Sequence, residues 1–317
     1  MYLYLYELRD TSFLCPMKTN QLIVKTALFL ALLNGSPSCT AQPVSTPPSE
    51  VHAQRTPAEA WVGKSQDSLV FSEKITKVKG KTLAECALSA AQSFIGTPYR
   101  SHTLEVSDPE NTVINLRGLD CWTLMDAAMA MAMCQQDSNP DFYNFVRHVR
   151  ELRYKNGIPD GYGSRRHYFT EWLLYLSEQG IIYDITPELG GVPMKKKINF
   201  ITANPALYPR TRDTAELNKI KTTQDHLNAQ PWYYIPKTAV KKAQKHIRPG
   251  DIIVLTSVRS NLDVEHQGFA IYDTDGSMRL LHASSNRGRV MLSHRPLDEY
   301  LNRIKAVSGI MVFRFKE

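Results

Sequence analysis

Leu119-Asp120-Cys121-Trp122-Thr123-Leu124-Met125-Asp126-Ala127 decides the reading of this chain, because it places a thiol where an Ala/Met-rich helix begins. A helix N-terminus presents unsatisfied N–H groups and a partial positive charge, which favour thiolate over thiol. Asp120 stands at the N-cap position, a role worth about 1 kcal/mol. The helix is expected to run to about Met133. Cys134 lies thirteen residues past Cys121 and, at roughly 100° per residue, faces nearly the opposite side. Those two thiols therefore cannot pair while the helix is intact. Cys86, with Leu83 and Ala90 at helical spacing, reads as a packed thiol, so Cys121 is the cysteine that calls for a functional explanation.

Outward from this segment, Leu83, Cys86, Ala87, Ala90 and Phe94 share one face of a helix predicted over 82–94, ended by Gly96-Thr97-Pro98. Two more helices are expected near 142–154 and 169–178, separated by the turn from Asn156 to Gly163. The stretch 190–236, rich in prolines and scattered aromatics, is expected to wrap the core and shape a cleft. From Ile247 onward the pattern changes to strands, over 251–256, 267–272, 278–283, 289–292 and 310–315. His266 opens one of them and His282 lies on the next, joined by the turn Asp273-Thr274-Asp275-Gly276. Neighbouring antiparallel strands bring such side chains within reach. Strand alternation sends Glu265 to the opposite face from His266, so it is given no catalytic role.

The chain has 317 residues, 43% of them hydrophobic, and a formal charge of +7. It is long enough to bury a core without disulfide or metal support. Residues 1–41 read as an export signal, with Lys18 and Lys25 ahead of the apolar run Ala27 to Leu33, and Met17 is a candidate for its true start. Two outcomes stay open: ordinary cleavage before Gln42, or lipidation of Cys39. Residues 42–59, with Ser45-Thr46-Pro47-Pro48-Ser49, read as a tether. The globular part is expected over 60–317, with a long insert at about 141–237. The moderately basic surface suits an acidic polymer such as peptidoglycan but also nucleic acid or anionic lipid, and charge alone does not choose among them; no tight Lys/Arg and aromatic stripe of the nucleic-acid kind is visible. His-Glu-x-x-His and Cys-x-x-Cys are both absent, so neither a metal nor a cofactor is expected.

In order, Phe94-Ile95-Gly96-Thr97-Pro98-Tyr99-Arg100, Gly118-Leu119-Asp120-Cys121, Arg248-Pro249-Gly250-Asp251, His266-Gln267-Gly268-Phe269-Ala270 and Leu281-His282-Ala283-Ser284-Ser285 resemble the motifs of the NlpC/p-sixty superfamily of papain-like cell-wall cysteine hydrolases. The resemblance implies an α+β, papain-like core in which the nucleophile helix packs on an antiparallel sheet carrying the histidines. Ser164-Arg165-Arg166-His167-Tyr168-Phe169-Thr170-Glu171-Trp172, together with Leu262-Asp263-Val264-Glu265-His266, looks like a branch first catalogued as a domain of unknown function. That branch implies an N-acetylmuramoyl-L-alanine amidase acting on peptidoglycan or muropeptides in the periplasm, with membrane attachment only through a lipid on Cys39. A D-glutamyl-diaminopimelate endopeptidase on the same site, or a non-catalytic cell-wall binding module, is the alternative.

By motif position the resemblance makes Cys121 the nucleophile, His266 the general base and His282 the residue that orients it. Tyr99 is the candidate for an oxyanion or substrate contact; its alternative role is packing on the cysteine helix. Arg165, His167 and Tyr168 are candidate substrate contacts, since an Arg fork binds carboxylates and an aromatic face suits a sugar; the alternative is an ordinary helix start. In related endopeptidases the position of Asp120 also holds a substrate amine, and here capping is the expected task. Trp122 departs from the small residue common after the nucleophile in the wider superfamily.

Overall fold

The computed structural model describes residues 50–52, 61–106 and 108–317. The export segment expected over 1–41, including Met17 and Cys39, lies outside the described residues. So does the expected tether, except for Glu50–His52. Those three residues form a strand, β1, paired antiparallel with β2 (Trp61–Gly63). A three-residue strand is too short to announce itself by alternation, and its partner completes it.

Nine α-helices follow among the described residues: α1 (Ser65–Ile75), α2 (Leu83–Ser93), α3 (Cys121–Gln136), α4 (Phe142–Arg153), α5 (Phe169–Glu178), α6 (Phe200–Ala203), α7 (Thr214–Asn228), α8 (Lys237–Ala243) and α9 (Leu297–Asn302). The strands are β3 (Ile182–Asp184), β4 (Val192–Pro193), β5 (Tyr233–Pro236), β6 (Ile252–Ser257), β7 (Val264–Tyr272), β8 (Met278–Ser284), β9 (Arg289–Leu292) and β10 (Val307–Phe315). They form one antiparallel sheet in the order β4-β5-β10-β6-β7-β8-β9, with β3 also paired to β10. The stretch 190–236 thus does more than wrap the core. It supplies β4 and β5 to the sheet and the fifteen-residue helix α7.

Alternation along β6 splits the core in two. Ile252 and Val254 face α2 to α5, while Ile253 and Leu255 face α8 and α9. On the first face α3 is the central helix, packed between α2 and α4 and against β7 and β8. Thirteen of its sixteen residues are buried, so it has no solvent face and no freedom to rotate. Its good helix formers, Ala, Met and Leu, also suit that environment.

Two polar ties fix α3 further. Arg153 of α4 donates through Nε to Asp126 Oδ2 at 2.9 Å and through Nη1 to the Val113 carbonyl at 2.5 Å, all of it buried. At the other end, Thr97-Pro98-Tyr99 extends the sheet beyond β9. Gly96 N and Tyr99 N donate to Val290 and Gly288 (2.9 and 2.7 Å), and Val290 N donates to Thr97 (2.8 Å). Leu119 then pairs with this added segment, Leu119 N donating to Pro98 O (3.0 Å) and Arg100 N to Leu119 O (3.1 Å). The residues before Cys121 are therefore held by a backbone ladder, the structural content of the Thr-Pro-Tyr and Gly-Leu-Asp-Cys motifs.

The Arg-Pro-Gly-Asp motif serves the same scaffold. Asp251 accepts from Arg248 N (2.7 Å) and from the Arg314 fork (2.9 and 2.7 Å), and Gly250, at φ +89, donates to Ala270 O (2.9 Å). The left-handed turn at Gly250 feeds β6 into its pairing with β7. Replacing Arg153 by Met would strand the buried Asp126 carboxyl, so Arg153→Met is expected to lower unfolding free energy by about 3–5 kcal/mol in urea titration.

Candidate active site

Asp120 caps α3: Oδ1 accepts from Thr123 N (2.8 Å) and Thr123 Oγ1 (2.9 Å), and Thr123 Oγ1 accepts from Asp120 N (2.9 Å). This reciprocal box starts the helix at Cys121. The side chain of Trp122 turns into the core, edge-on to Phe169 of α5 with ring centroids 5.3 Å apart. The residue after the cysteine is thus an anchor for the insert.

The thiol is 2% exposed, and burial decides its charge. Burial, then the Asp120 carboxylate, pushes the Cys121 pKa well above its ordinary value, against a smaller opposite pull from the N–H groups of Cys121 and Trp122. The helix N-terminus therefore does not produce a resting thiolate, as the sequence alone leads one to expect. At rest Cys121 is a neutral thiol. It interacts electrostatically with Tyr99 and Tyr300 as well, and burial keeps both phenols protonated.

His266 and His282 meet directly, with Nε2 of His266 2.6 Å from Nδ1 of His282 and ring planes 86° apart. The approach depends on Gly268. A Cβ there would strike the Leu281 carbonyl oxygen and come within 3.1 Å of the His282 Cβ. Burial pushes the His266 pKa down to about 4 and takes His282 well below its usual range, with His266 and His294 adding to the second shift. Both rings are neutral at working pH. If His266 Nε2–H donates to His282 Nδ1, His266 Nδ1 is left as the free base.

Both histidines open on a cleft of about 520 Å³, walled also by Tyr300, Glu265, Arg259 and Asn286. Tyr300 of α9, with its ring 5.5 Å from that of His282, links the histidines to the surroundings of Cys121. Nothing in its Asp298-Glu299-Tyr300 context signals this position. Among the described residues no hydrogen bond joins the Cys121 thiol to His266, and Cys121 does not line the cleft. Catalytic contacts are commonly looser in an unliganded chain. Glu265, assigned to the opposite face by alternation, lines this same cleft because β7 carries a bulge beside it.

The three insert candidates are not on that cleft. Arg165 is 2% exposed, with Nη2 2.8 Å from Glu105 and Nε 3.6 Å from Glu110. His167 Nε2 contacts the Tyr162 carbonyl at 2.7 Å. Tyr168 OH donates to Gln224 (2.9 Å) and accepts from Ile201 N (3.0 Å). Arg165 ties the insert to the loop around Glu105 and Glu110, while His167 and Tyr168 hold the insert together, and none of the three is the solvated helix start that was the alternative. Arg165 also borders a second cavity, of about 320 Å³, together with His102, Glu105, Asp120 and Trp122. Cys86 and Cys134 are buried thiols bonded to the carbonyls of Gly80 (3.6 Å) and Asp141 (3.3 Å).

Residues 89–310 match the family model described as AmiA-like, N-acetylmuramoyl-L-alanine amidase-like. The chain belongs to this family. A crystal structure of an N-acetylmuramoyl-L-alanine amidase from Bacteroides uniformis is 30% identical, with TM-score 0.68, covering 74% of this chain and 99% of its own. A Bacteroides fragilis protein provisionally described as a xylanase is 34% identical, with TM-score 0.65, covering 71% of this chain and 98% of its own. A Legionella pneumophila protein of the DUF1460 family model, at 20% identity and TM-score 0.62 over 80% of this chain and 94% of its own, shares the fold. No curated protein matches the chain. The α+β fold with its antiparallel sheet is that of the amidase structure, and the family is one of amidase-like peptidoglycan hydrolases.

The neutral histidines predict two pH effects. His266 must be unprotonated to act as a base, so the acid limb of kcat/KM is expected near pH 4; a limb near the usual 6.5 would contradict the buried site. In the unfolded chain the same imidazole protonates near 6.5, so the unfolded state binds more protons between pH 6.5 and about 4. Thermal unfolding midpoints should therefore fall as pH is lowered through that window.

Proposed function

We propose that the protein is a cysteine N-acetylmuramoyl-L-alanine amidase of the papain-like NlpC/p-sixty type, cleaving the bond between the lactyl group of N-acetylmuramic acid and L-alanine in muropeptides. The observation that carries this reading is the His266–His282 contact at 2.6 Å, opening on a cleft whose wall includes Tyr300, a residue that also interacts with the Cys121 thiol. Residues 60–317 act as one catalytic unit whose insert spans about 141–237. The protein is exported to the periplasm, with or without a lipid on Cys39.

The chemistry starts from a neutral pair. Cys121 Sγ attacks the lactyl carbonyl carbon as its proton passes to His266 Nδ1. Proton transfer concerted with attack avoids a free buried thiolate, which the surroundings of Cys121 disfavour. The negative charge that develops on the carbonyl oxygen is met by the Cys121 backbone N–H and by the protonated Tyr99 phenol. Protonated His266 then gives its proton to the departing L-alanine nitrogen, a transfer that the lowering of its pKa by burial favours. Water then hydrolyses the thioester with His266 again as base. His282 is a positioning residue: by accepting from His266 Nε2–H it keeps Nδ1 directed to the reaction.

Incubation with MurNAc-L-Ala-D-Glu-diaminopimelate is expected to release N-acetylmuramic acid and intact tripeptide, read by mass spectrometry. Cys121→Ala should reduce that release by at least about 10⁴-fold while leaving the fold intact. Release of diaminopimelate instead would assign an endopeptidase. Turnover persisting in the variant would remove the cysteine mechanism.

A further inference from the structure

Strand alternation denies the cleft a carboxyl group, and a bulge supplies one. Leu255 of β6 pairs with His266 and the next residue, Thr256, pairs with Val264, so Glu265 is left without a partner in the ladder. Val264 consequently packs with Phe269 and Leu281 on the α3 side, while His266 faces the cleft. Without the bulge those two residues would share a face. The extra residue turns the Glu265 carboxyl onto the cleft wall beside His266.

The carboxyl is held in place. Its Oε1 accepts from Ser257 Oγ at 2.5 Å and lies 3.9 Å from Arg259 Nε. Lys196 donates to the Ser257 carbonyl and, at 2.9 Å, to the Leu262 carbonyl, fastening the strand ends that carry the bulge. Both contacts of the carboxyl fall on Oε1, and Oε2 has no hydrogen-bond partner among the described residues. Glu265 is 7% exposed and is the acidic residue of a wall whose other members include Leu255, Ile304, Val307 and Tyr300. Burial raises its pKa, and Ser257, Arg259 and Lys196 oppose that shift.

We propose that Glu265 is a specificity-determining residue for the sugar side of the substrate, its Oε2 accepting a hydrogen bond from a hydroxyl or acetamido N–H of the muramyl unit. The inference rests on the amidase reading above. The stem peptide carries carboxylates, which a second carboxylate repels. The sugar offers neutral donors, and its C–H faces suit the apolar wall of the cleft.

The test compares the full-length protein with Glu265→Gln on two substrates, MurNAc-L-Ala-D-Glu-diaminopimelate and D-lactoyl-L-Ala-D-Glu-diaminopimelate, which keeps the scissile bond and lacks the sugar. Gln can retain the Ser257 contact through its oxygen while presenting a donor where Oε2 accepts. Expected is a loss of about 10- to 100-fold in kcat/KM on the muramyl substrate, mainly through KM, with no loss on the lactoyl substrate. Equal losses on both would make Glu265 structural, and no loss on either would remove it from recognition; both overturn the proposal. Ser257→Ala, which removes the anchor of the carboxyl, should give the same substrate-dependent loss and serves if the Gln variant fails to fold. If the wild-type protein leaves the muramyl substrate intact, the amidase reading fails separately. Calorimetric titration of N-acetylmuramic acid then decides the proposal: weaker binding to Glu265→Gln supports it, and equal or absent binding overturns it.

Discussion

A helix buried on all sides has a single place to begin, and α3 is such a helix. Its capping box, its Arg153–Asp126 tie and the Thr97–Tyr99 ladder each act on the same coordinate, the position of the Cys121 backbone. The histidines are set by a different constraint, the close approach of β7 and β8 at Gly268. Two rigid elements thus position the thiol and the histidines independently, an arrangement more accurate than loops allow. Trp122 against Phe169 keeps the insert attached to the thiol helix, and the buried Arg165 ties it to Glu105 and Glu110 of the loop that precedes that helix.

Electrostatically, burial is the dominant effect throughout the site. It outweighs the helix N-terminus at Cys121 and keeps both imidazoles neutral, each with a single N–H. A charged thiolate–imidazolium pair in this setting would lack the solvent that normally supports it. The neutral thiol and neutral imidazoles are the stable resting form, and in the proposed mechanism the substrate carbonyl would take up the charge that proton transfer creates. Burial likewise keeps Tyr99 and Tyr300, which interact with Cys121, protonated.

The long periodic elements were legible in the sequence. Helices α2 to α5 and strands β6 to β10 fall within a few residues of their expected bounds, because each carries a full apolar face. Helix α7, Thr-Ala-Glu-Leu-Asn-Lys-Ile-Lys-Thr-Thr-Gln, is mostly polar and buries only a narrow stripe, so its pattern was lost among the flanking prolines. Strands β3, β4 and β5 are too short for alternation to register, and neighbouring strands define them. At the site, local motifs singled out Cys121, His266 and His282, and the structure brings the two histidines into contact while Cys121 lies off their cleft. Tyr300 was not, since only the packing of α9 brings it to His282. Glu265 was placed on the wrong face because alternation cannot register a bulge. Arg165 was read as a fork for substrate carboxylates because its partners, Glu105 and Glu110, are distant in sequence.

The most direct test of the account is the intact mass of the enzyme quenched during turnover of a muramyl peptide, followed by mapping of the modified residue. The account predicts an N-acetylmuramyl thioester on Cys121, which identifies both the nucleophile and the bond. A peptidyl adduct ending in D-glutamate, or an acyl group carried by any residue other than Cys121, would contradict it.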